Sequence, residues 1–236
     1  MERETAPLAG TPASNALDAS AGAERALGPV LHCEQVSDLA LLYEPEILLV
    51  TAAKPPGSEA AQHAAALAGA GERISTAEVV CIDGEPRPGS LDVLTLTQAD
   101  GALAWADYVA EIAGAFALLV GARLVGVRQV VADGPHCPRF HVDRVAVRGV
   151  LTVLGPGTQW LPNSELDRSR LGHAGGEDDA TSGLVKRWDR VQQLEAGSLA
   201  LFKGTKWPDI GDLAVVHRSP PATGTRRVVL TLDWLD

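Results

Sequence analysis

From Leu124 to the C-terminus the chain is a succession of short β-type runs, LVGVRQVVA, RFHVDRVAV, GVLTVL, SLALF, LAVVH and RRVVLTLDW, broken by glycine and proline. Runs rich in Val, Leu and Thr and only five to nine residues long fit pleated, half-buried strands and are too short for helices that pay their own way. Many short strands with turn residues between them predict two packed sheets, as in a sandwich or jelly roll. The segment 162–183, PNSELDRSRLGHAGGEDDATSG, is polar and glycine-rich and is expected to be a long loop or lid.

The preceding residues have a different character. EPEILLV (44–50) predicts a strand, SEAAQHAAALAGA (58–70) a short alanine-rich helix after the breaker KPPG, and TAEVVCID is strand-like. ALAWADYVAEIAGAFALLVGA (102–122) has nearly the length of a membrane span, but Asp107 and Glu111 sit in its first half. Val109, Ile112, Phe116 and Leu119 recur at helical spacing and Gly121 offers a stop, so a buried amphipathic helix is the expectation. The fold class is therefore α+β. A disordered tail (1–28), rich in Ala, Pro, Gly and Ser, would precede one domain (29–236) made of a helical or mixed part (29–122) and a β core (123–236).

With 46% hydrophobic residues, the 236-residue chain has enough apolar material for a real core. A net charge of −10 opposes non-specific binding to nucleic acid or to an anionic membrane. Three scattered cysteines, Cys33, Cys81 and Cys137, do not make a disulfide framework. Glu2 and Glu4 without an apolar stretch do not resemble a secretory signal, so a cytoplasmic protein is expected. GxGxxG, Walker, GxSxG and HExxH motifs are absent.

The residues richest in chemistry form CPRFHVD, 137–143. Alternation along a strand would put His141 and Asp143 on one face, with Val142 and Arg144 on the other. His217 ends the later run LAVVH before a Pro-Pro break. Two histidines and a carboxylate on neighbouring strands can occupy one face of a metal's coordination sphere and leave positions open for a chelating substrate and a small gas. After the turn-forming PATGT, the last run begins with Arg226 and Arg227, and a guanidinium is the side chain suited to gripping a carboxylate with two hydrogen bonds. A strand aims only one of them inward. If it is Arg227, then Val229, Thr231 and Asp233 share its face, and Val228, Leu230, Leu232 and Trp234 form an apolar stripe against the helices.

HVD, AGSLALF and VVHRSPPATGTRRVVLTLDWL, in that order, resemble the Fe(II)/2-oxoglutarate-dependent dioxygenases over roughly the C-terminal half. The resemblance implies a double-stranded β-helix, a cupin-like jelly roll, flanked here by the N-terminal helices. It implies that His141, Asp143 and His217 are metal ligands and catalytic residues, with Arg227 or Arg226 binding the far carboxylate of 2-oxoglutarate. The polar residue that the superfamily carries two positions after its arginine is Val229 here, or Val228 if Arg226 is the binder, and Lys203 in FKGTKW is an alternative carboxylate partner. CPRFHVD, GPGTQWLP, FKGTKW and HRSPP also resemble signatures of an uncharacterised bacterial family.

Other residues have two readings each. Cys137 is a buried small residue or a thiolate that would favour zinc over iron, and His136 shares that ambiguity. Trp160 and Trp207 are expected in core or turn packing, Gly155 and Gly157 in a turn, and His173 in solvent. Glu165, Asp167 and Arg168 are either loop charges or groups that close over a substrate. Two functions follow: an Fe(II)/2-oxoglutarate-dependent oxygenase acting on an unknown substrate, or a cupin-like protein that binds a divalent metal such as Zn(II) for sensing, storage or delivery.

Overall fold

The computed structural model describes residues 30–81, 100–172 and 178–235. The expected tail (1–28) and His173 lie outside the described residues. The strands are β1 (Val30–Cys33), β2 (Leu49–Ala53), β3 (Ile74–Cys81), β4 (Leu124–Ala132), β5 (Val147–Leu154), β6 (Gln159–Leu161), β7 (Gln192–Gln193), β8 (Ser198–Lys203), β9 (Val216–Arg218) and β10 (Arg227–Trp234). The α-helices are α1 (Ser58–Gly69) and α2 (Ala102–Val120).

Seven strands form a large sheet in the order β1-β2-β8-β5-β10-β4-β3, and three form a small sheet in the order β7-β6-β9. A bridge between His141 and His217 adds the 137–143 segment beside β9. From β4 onward the chain crosses repeatedly between sheets: β4 is in the large one, 137–143 in the small, β5 in the large, β6 and β7 in the small, β8 in the large, β9 in the small and β10 in the large. That alternation of antiparallel strands is the winding of a double-stranded β-helix. Strands β1 to β3 extend the same large sheet, with β1 and β2 paired in parallel at one edge and β3 antiparallel to β4 at the other.

The large sheet has two contrasting faces. Against its outer face lies α2, whose Trp105, Val109, Ile112 and Phe116 are buried on Val228, Leu230 and Leu232 of β10 and their neighbours on β4, β5 and β8. Ala60, Ala64 and Leu67 of α1 complete this layer. Fully burying side chains of this kind stabilises by roughly 1.5–3 kcal/mol each. By length and composition α2 could cross a membrane, but more than half of its most apolar window is inside the fold, and Glu111 on its exposed side pairs with Lys54 at 2.6 Å. Left-handed glycines stand at both ends of α2, Gly101 at φ 81° and Gly121 at φ 70°. The inner face packs Val150, Ala200, Phe202 and Val229 against Trp160 and Val215 between the two sheets.

Local boundaries differ from the sequence expectations in several places. The strand expected at 44–50 begins at Leu49, because Glu44 and Ile47 close a turn after the 3₁₀ segment Val36–Tyr43. RFHVDRVAV is not a continuous strand: only His141 forms a bridge, and a laddered strand starts at Val147. Pro138 lacks an N–H, and the carbonyls of Asp143 and Val145 accept from Thr205 and Lys206, so this segment pairs with a turn rather than with a second strand. The expected lid at 162–183 is, where described, built from short 3₁₀ turns and held by a bridge between Leu166 and Val185.

Candidate metal centre and anion pocket

His141 and His217 face each other across the small sheet and exchange both backbone hydrogen bonds at 3.0 Å. Directly opposed residues in an antiparallel pair put their side chains on one face, and the two imidazole centroids are 4.6 Å apart. Asp143, two residues beyond His141, returns to the same face. Its Oδ2 lies 3.2 Å from His217 Nε2 and its Oδ1 3.7 Å from His141 Nε2. The three donor atoms all fall within 4.8 Å of one another, close enough to hold one metal ion. The turn after β8 fixes Asp143: Thr205 N–H donates to its carbonyl at 2.9 Å, and Gly204 passes so close that a Cβ there would stand 2.2 Å from the Val145 carbonyl oxygen.

The hydrogen bonding favours a cation among these atoms. His141 Nδ1 lies 2.9 Å from the Arg139 carbonyl and His217 Nδ1 3.2 Å from the Val215 carbonyl, contacts that require the proton on Nδ1. In the neutral ring, Nε2 then presents a lone pair toward Asp143. Without a proton on His217 Nε2, the 3.2 Å contact is not a hydrogen bond, and the buried Oδ2 has no partner. Carbonyls that lock metal-binding histidines in one tautomer are a recurrent outer-shell device, and a divalent ion between the three groups satisfies all of them. Burial, then the neighbouring His217, pushes the His141 pKa down and keeps its ring neutral. In the metal-free protein burial would raise the Asp143 pKa, but the contact with His217, when that ring carries a second proton, and the charge of Arg148 outweigh it and hold it at about 2. The carboxylate is therefore ionised, the state a ligand needs.

A cavity of about 110 Å³ opens beside this triad, lined by His141, His217, Arg227, Thr158 and the inward residues of β4, β5 and β10. Arg227 is 7% exposed. Its Nε donates to the Pro156 carbonyl at 2.6 Å, and Nη2 lies 3.4 and 3.5 Å from the hydroxyls of Thr152 and Thr158. Among the described residues no carboxylate pairs with it, and burial alone lowers its pKa to about 10. A buried, still charged guanidinium without a counter-ion is costly, and an anionic ligand in the cavity would relieve that cost.

The other expected carboxylate binders lie elsewhere. Arg226 points away from the cavity and donates to the carbonyls of Ala68 and Glu72 after α1. Lys203 is buried at the other side of the large sheet, donating to the Glu44 carbonyl at 2.8 Å with Trp207 below it at 4.8 Å. Neither lines the cavity. Cys137 does line it, but its thiol is not in the three-residue group; burial and then Asp143 push its pKa up. His136 lies at the cavity edge, 3.4 Å from Arg73. Trp160 is buried in the inter-sheet core, and Gly157 crosses so near Leu194 that a Cβ would stand 1.8 Å from its carbonyl oxygen. Glu165 is buried against Arg187, and Arg168 binds Asn163 and the Ala214 carbonyl.

Sequence reasoning missed three polar residues around the site. Thr152 and Thr158 hold Arg227, while Arg148 bridges Asp143 at 3.5 Å and Asp233 at 2.5 Å. The alternation Arg148, Val150, Thr152 along VRGVLTVL was the available signal, since it puts a cation and a hydroxyl on the cavity face of β5.

Residues 33–233 match the family described as "Protein of unknown function (DUF1826)". The chain belongs to that family. No curated protein matches it in sequence. Among solved structures, a rice dioxygenase for auxin oxidation superposes with a TM-score of 0.42 at 14% identity, covering 88% of this chain and 82% of that one. A Pseudomonas putida prolyl-4-hydroxylase gives 0.45 at 16% identity, covering 86% and 93%. The Arabidopsis thaliana dioxygenase for auxin oxidation 1, in a 2-oxoglutarate complex, gives 0.47 at 11% identity, covering 89% and 92%.

Proposed function

We propose that this member of the family is an Fe(II)- and 2-oxoglutarate-dependent oxygenase. The observation that carries the proposal is one cavity lined both by the two histidines of a two-histidine, one-carboxylate group and by a buried arginine without a counter-ion among the described residues. That donor set, with open positions, suits non-haem iron. Bound iron with 2-oxoglutarate and O₂ supplies C–H hydroxylation, one oxygen atom entering the product and the other the succinate left after CO₂ is lost.

The protein's own contribution is placement. His141, Asp143 and His217 bind the metal, the carbonyls of Arg139 and Val215 orient the two rings, and Arg148 steadies the Asp143 carboxylate. Arg227, anchored by Pro156, Thr152 and Thr158, presents its charge to the far carboxylate of the cosubstrate. The apolar inner surface around Val229 and Val150 limits water there. A reducing cytoplasmic setting belongs to the same proposal, consistent with Cys33 and Cys137 as free thiols.

Anaerobic titration of the protein with Fe(II) and 2-oxoglutarate tests this: a metal-to-ligand charge-transfer band in the visible is expected, followed by succinate when O₂ is admitted. Neither band nor succinate would overturn it. Stoichiometric zinc that survives dialysis, without 2-oxoglutarate binding, would establish the metal-storage alternative instead.

A further inference from the structure

Building on the oxygenase reading of this cavity, we infer that the primary substrate is an anionic small molecule whose carboxylate or other oxyanion is held by Arg128. The chain as a whole is acidic, at −10, yet among the described residues this cavity is lined by four arginines, Arg128, Arg148, Arg218 and Arg227, and by no Asp or Glu. Two of them are already neutralised: Arg148 by Asp233, and Arg218 by Asp179 at 2.9 Å. Arg227 is the partner of the cosubstrate under the function proposed above. Arg128 is left over, exposed at the cavity and, among the described residues, without a hydrogen bond or ion pair.

The strand register separates the two free cations. Arg227 stands opposite Ala132, Val229 opposite Val130, and Thr231 opposite Arg128, so the arginines mark opposite ends of one floor with valines between them. Four residues along a strand is about 13 Å. Arg227 is also tethered to Pro156, Thr152 and Thr158, so its guanidinium does not swing toward Arg128. A five-carbon dicarboxylate that chelates at the triad and pairs with Arg227 therefore leaves Arg128 without an anion.

Charge counting gives the same answer. A dication, the Asp143 carboxylate, a dianionic cosubstrate and the Arg227 guanidinium sum to zero, and Arg128 remains as one uncompensated positive charge. Its nearest cavity-face neighbours across the strands are Ala77 on β3 and Thr231 on β10, neither of them acidic, and Asp233 one pleat further on is ion-paired to Arg148 and feels the charge of Arg128 only at longer range. A guanidinium so placed favours an oxyanion and repels an amine.

The test is calorimetric titration, without O₂, of protein loaded with Fe(II) and 2-oxoglutarate, using benzoate, acetate and inorganic phosphate as probes and benzylamine as the cationic control. At least one anion is expected to bind the loaded wild type, about tenfold or more weakly to Arg128→Gln, and with partial recovery in Arg128→Lys. The responding probe distinguishes a carboxylate from a phosphate substrate. If 2-oxoglutarate binds but no anion shows dependence on Arg128, or if benzylamine binds better than the anions, the Arg128 site is refuted and the oxygenase reading stands. Anion binding through Arg128 without 2-oxoglutarate binding would support the site and refute the oxygenase, and failure of both would refute both.

Discussion

The two faces of β10 follow opposite rules. On the helix side Val228, Leu230 and Leu232 are at most 1% exposed and packed among apolar neighbours, where every contact adds to stability. On the cavity side, alternate residues of the same strand are Arg227, Val229, Thr231 and Asp233, which include a buried cation without a counter-ion among the described residues and a carboxylate that burial pushes up in pKa despite Arg148. Burying charge in this way costs stability, and an apolar residue of similar volume would pack there at no such cost. One face is shaped by folding and the other by what it must bind.

The largest effect expected is on the cavity side of the molecule. If His217 is one of three metal ligands, as proposed, His217→Ala should lower metal affinity more than about a hundredfold, beyond what loss of an outer-shell partner costs. Elemental analysis after dialysis would show it, and a variant that kept its full metal content would break the contrast. On the helix side, Leu230→Ala should cost about 2–5 kcal/mol of folding stability, with metal content per folded molecule unchanged. Chemical denaturation checks the first number, and metal loss in the folded variant would mean that the two faces are not independent.

Arg227→Met sharpens the contrast further, because binding and stability should move in opposite directions. Affinity for 2-oxoglutarate should fall about tenfold to a hundredfold, while the melting temperature stays or rises. A large drop in melting temperature would show Arg227 to be a structural cation. The acid limb offers a related measurement on the metal-free protein. Asp143 has its folded pKa depressed from 3.8 to about 2, so its contribution is present above 3.8 and is lost as pH falls through that window. Wild type should therefore lose about 2 kcal/mol more than Asp143→Asn between pH 5 and pH 2.

Much of this contrast was legible in the residues. Period-two alternation after Arg227 separates the two faces correctly, because one face is buried in apolar side chains and a one-residue slip would expose it. The triad could be read because HxD places two donors on one side and His217 follows an apolar run that the structure makes part of the neighbouring strand β9. What could not be read was pairing: Lys203 and Arg227 are both buried cations near β ends, and only the register, Lys203 opposite Val147 on the helix side and Arg227 opposite Ala132 on the cavity side, shows which of them reaches the cavity. The continuous strand expected over RFHVDRVAV failed for a related reason, since the carbonyls of Asp143, Val145 and Ala146 accept from the turn at Gly204, a partner some sixty residues away that local propensity does not encode.

The smallest effect belongs to Arg226, the immediate neighbour of Arg227. Its guanidinium hydrogen-bonds to the carbonyls of Ala68 and Glu72 at and just beyond the C-terminal end of α1, where a cation meets the negative end of the helix dipole. Arg226→Ala should cost about 0.5–1 kcal/mol in thermal or chemical denaturation and leave 2-oxoglutarate affinity unchanged. Two adjacent arginines would then differ completely in kind, one a helix-end partner on the outside of the sheet and the other an anion holder on the inside. A loss of 2-oxoglutarate binding in Arg226→Ala equal to that in Arg227→Met would contradict this division, because the strand pleat permits only one of the two to face the cavity.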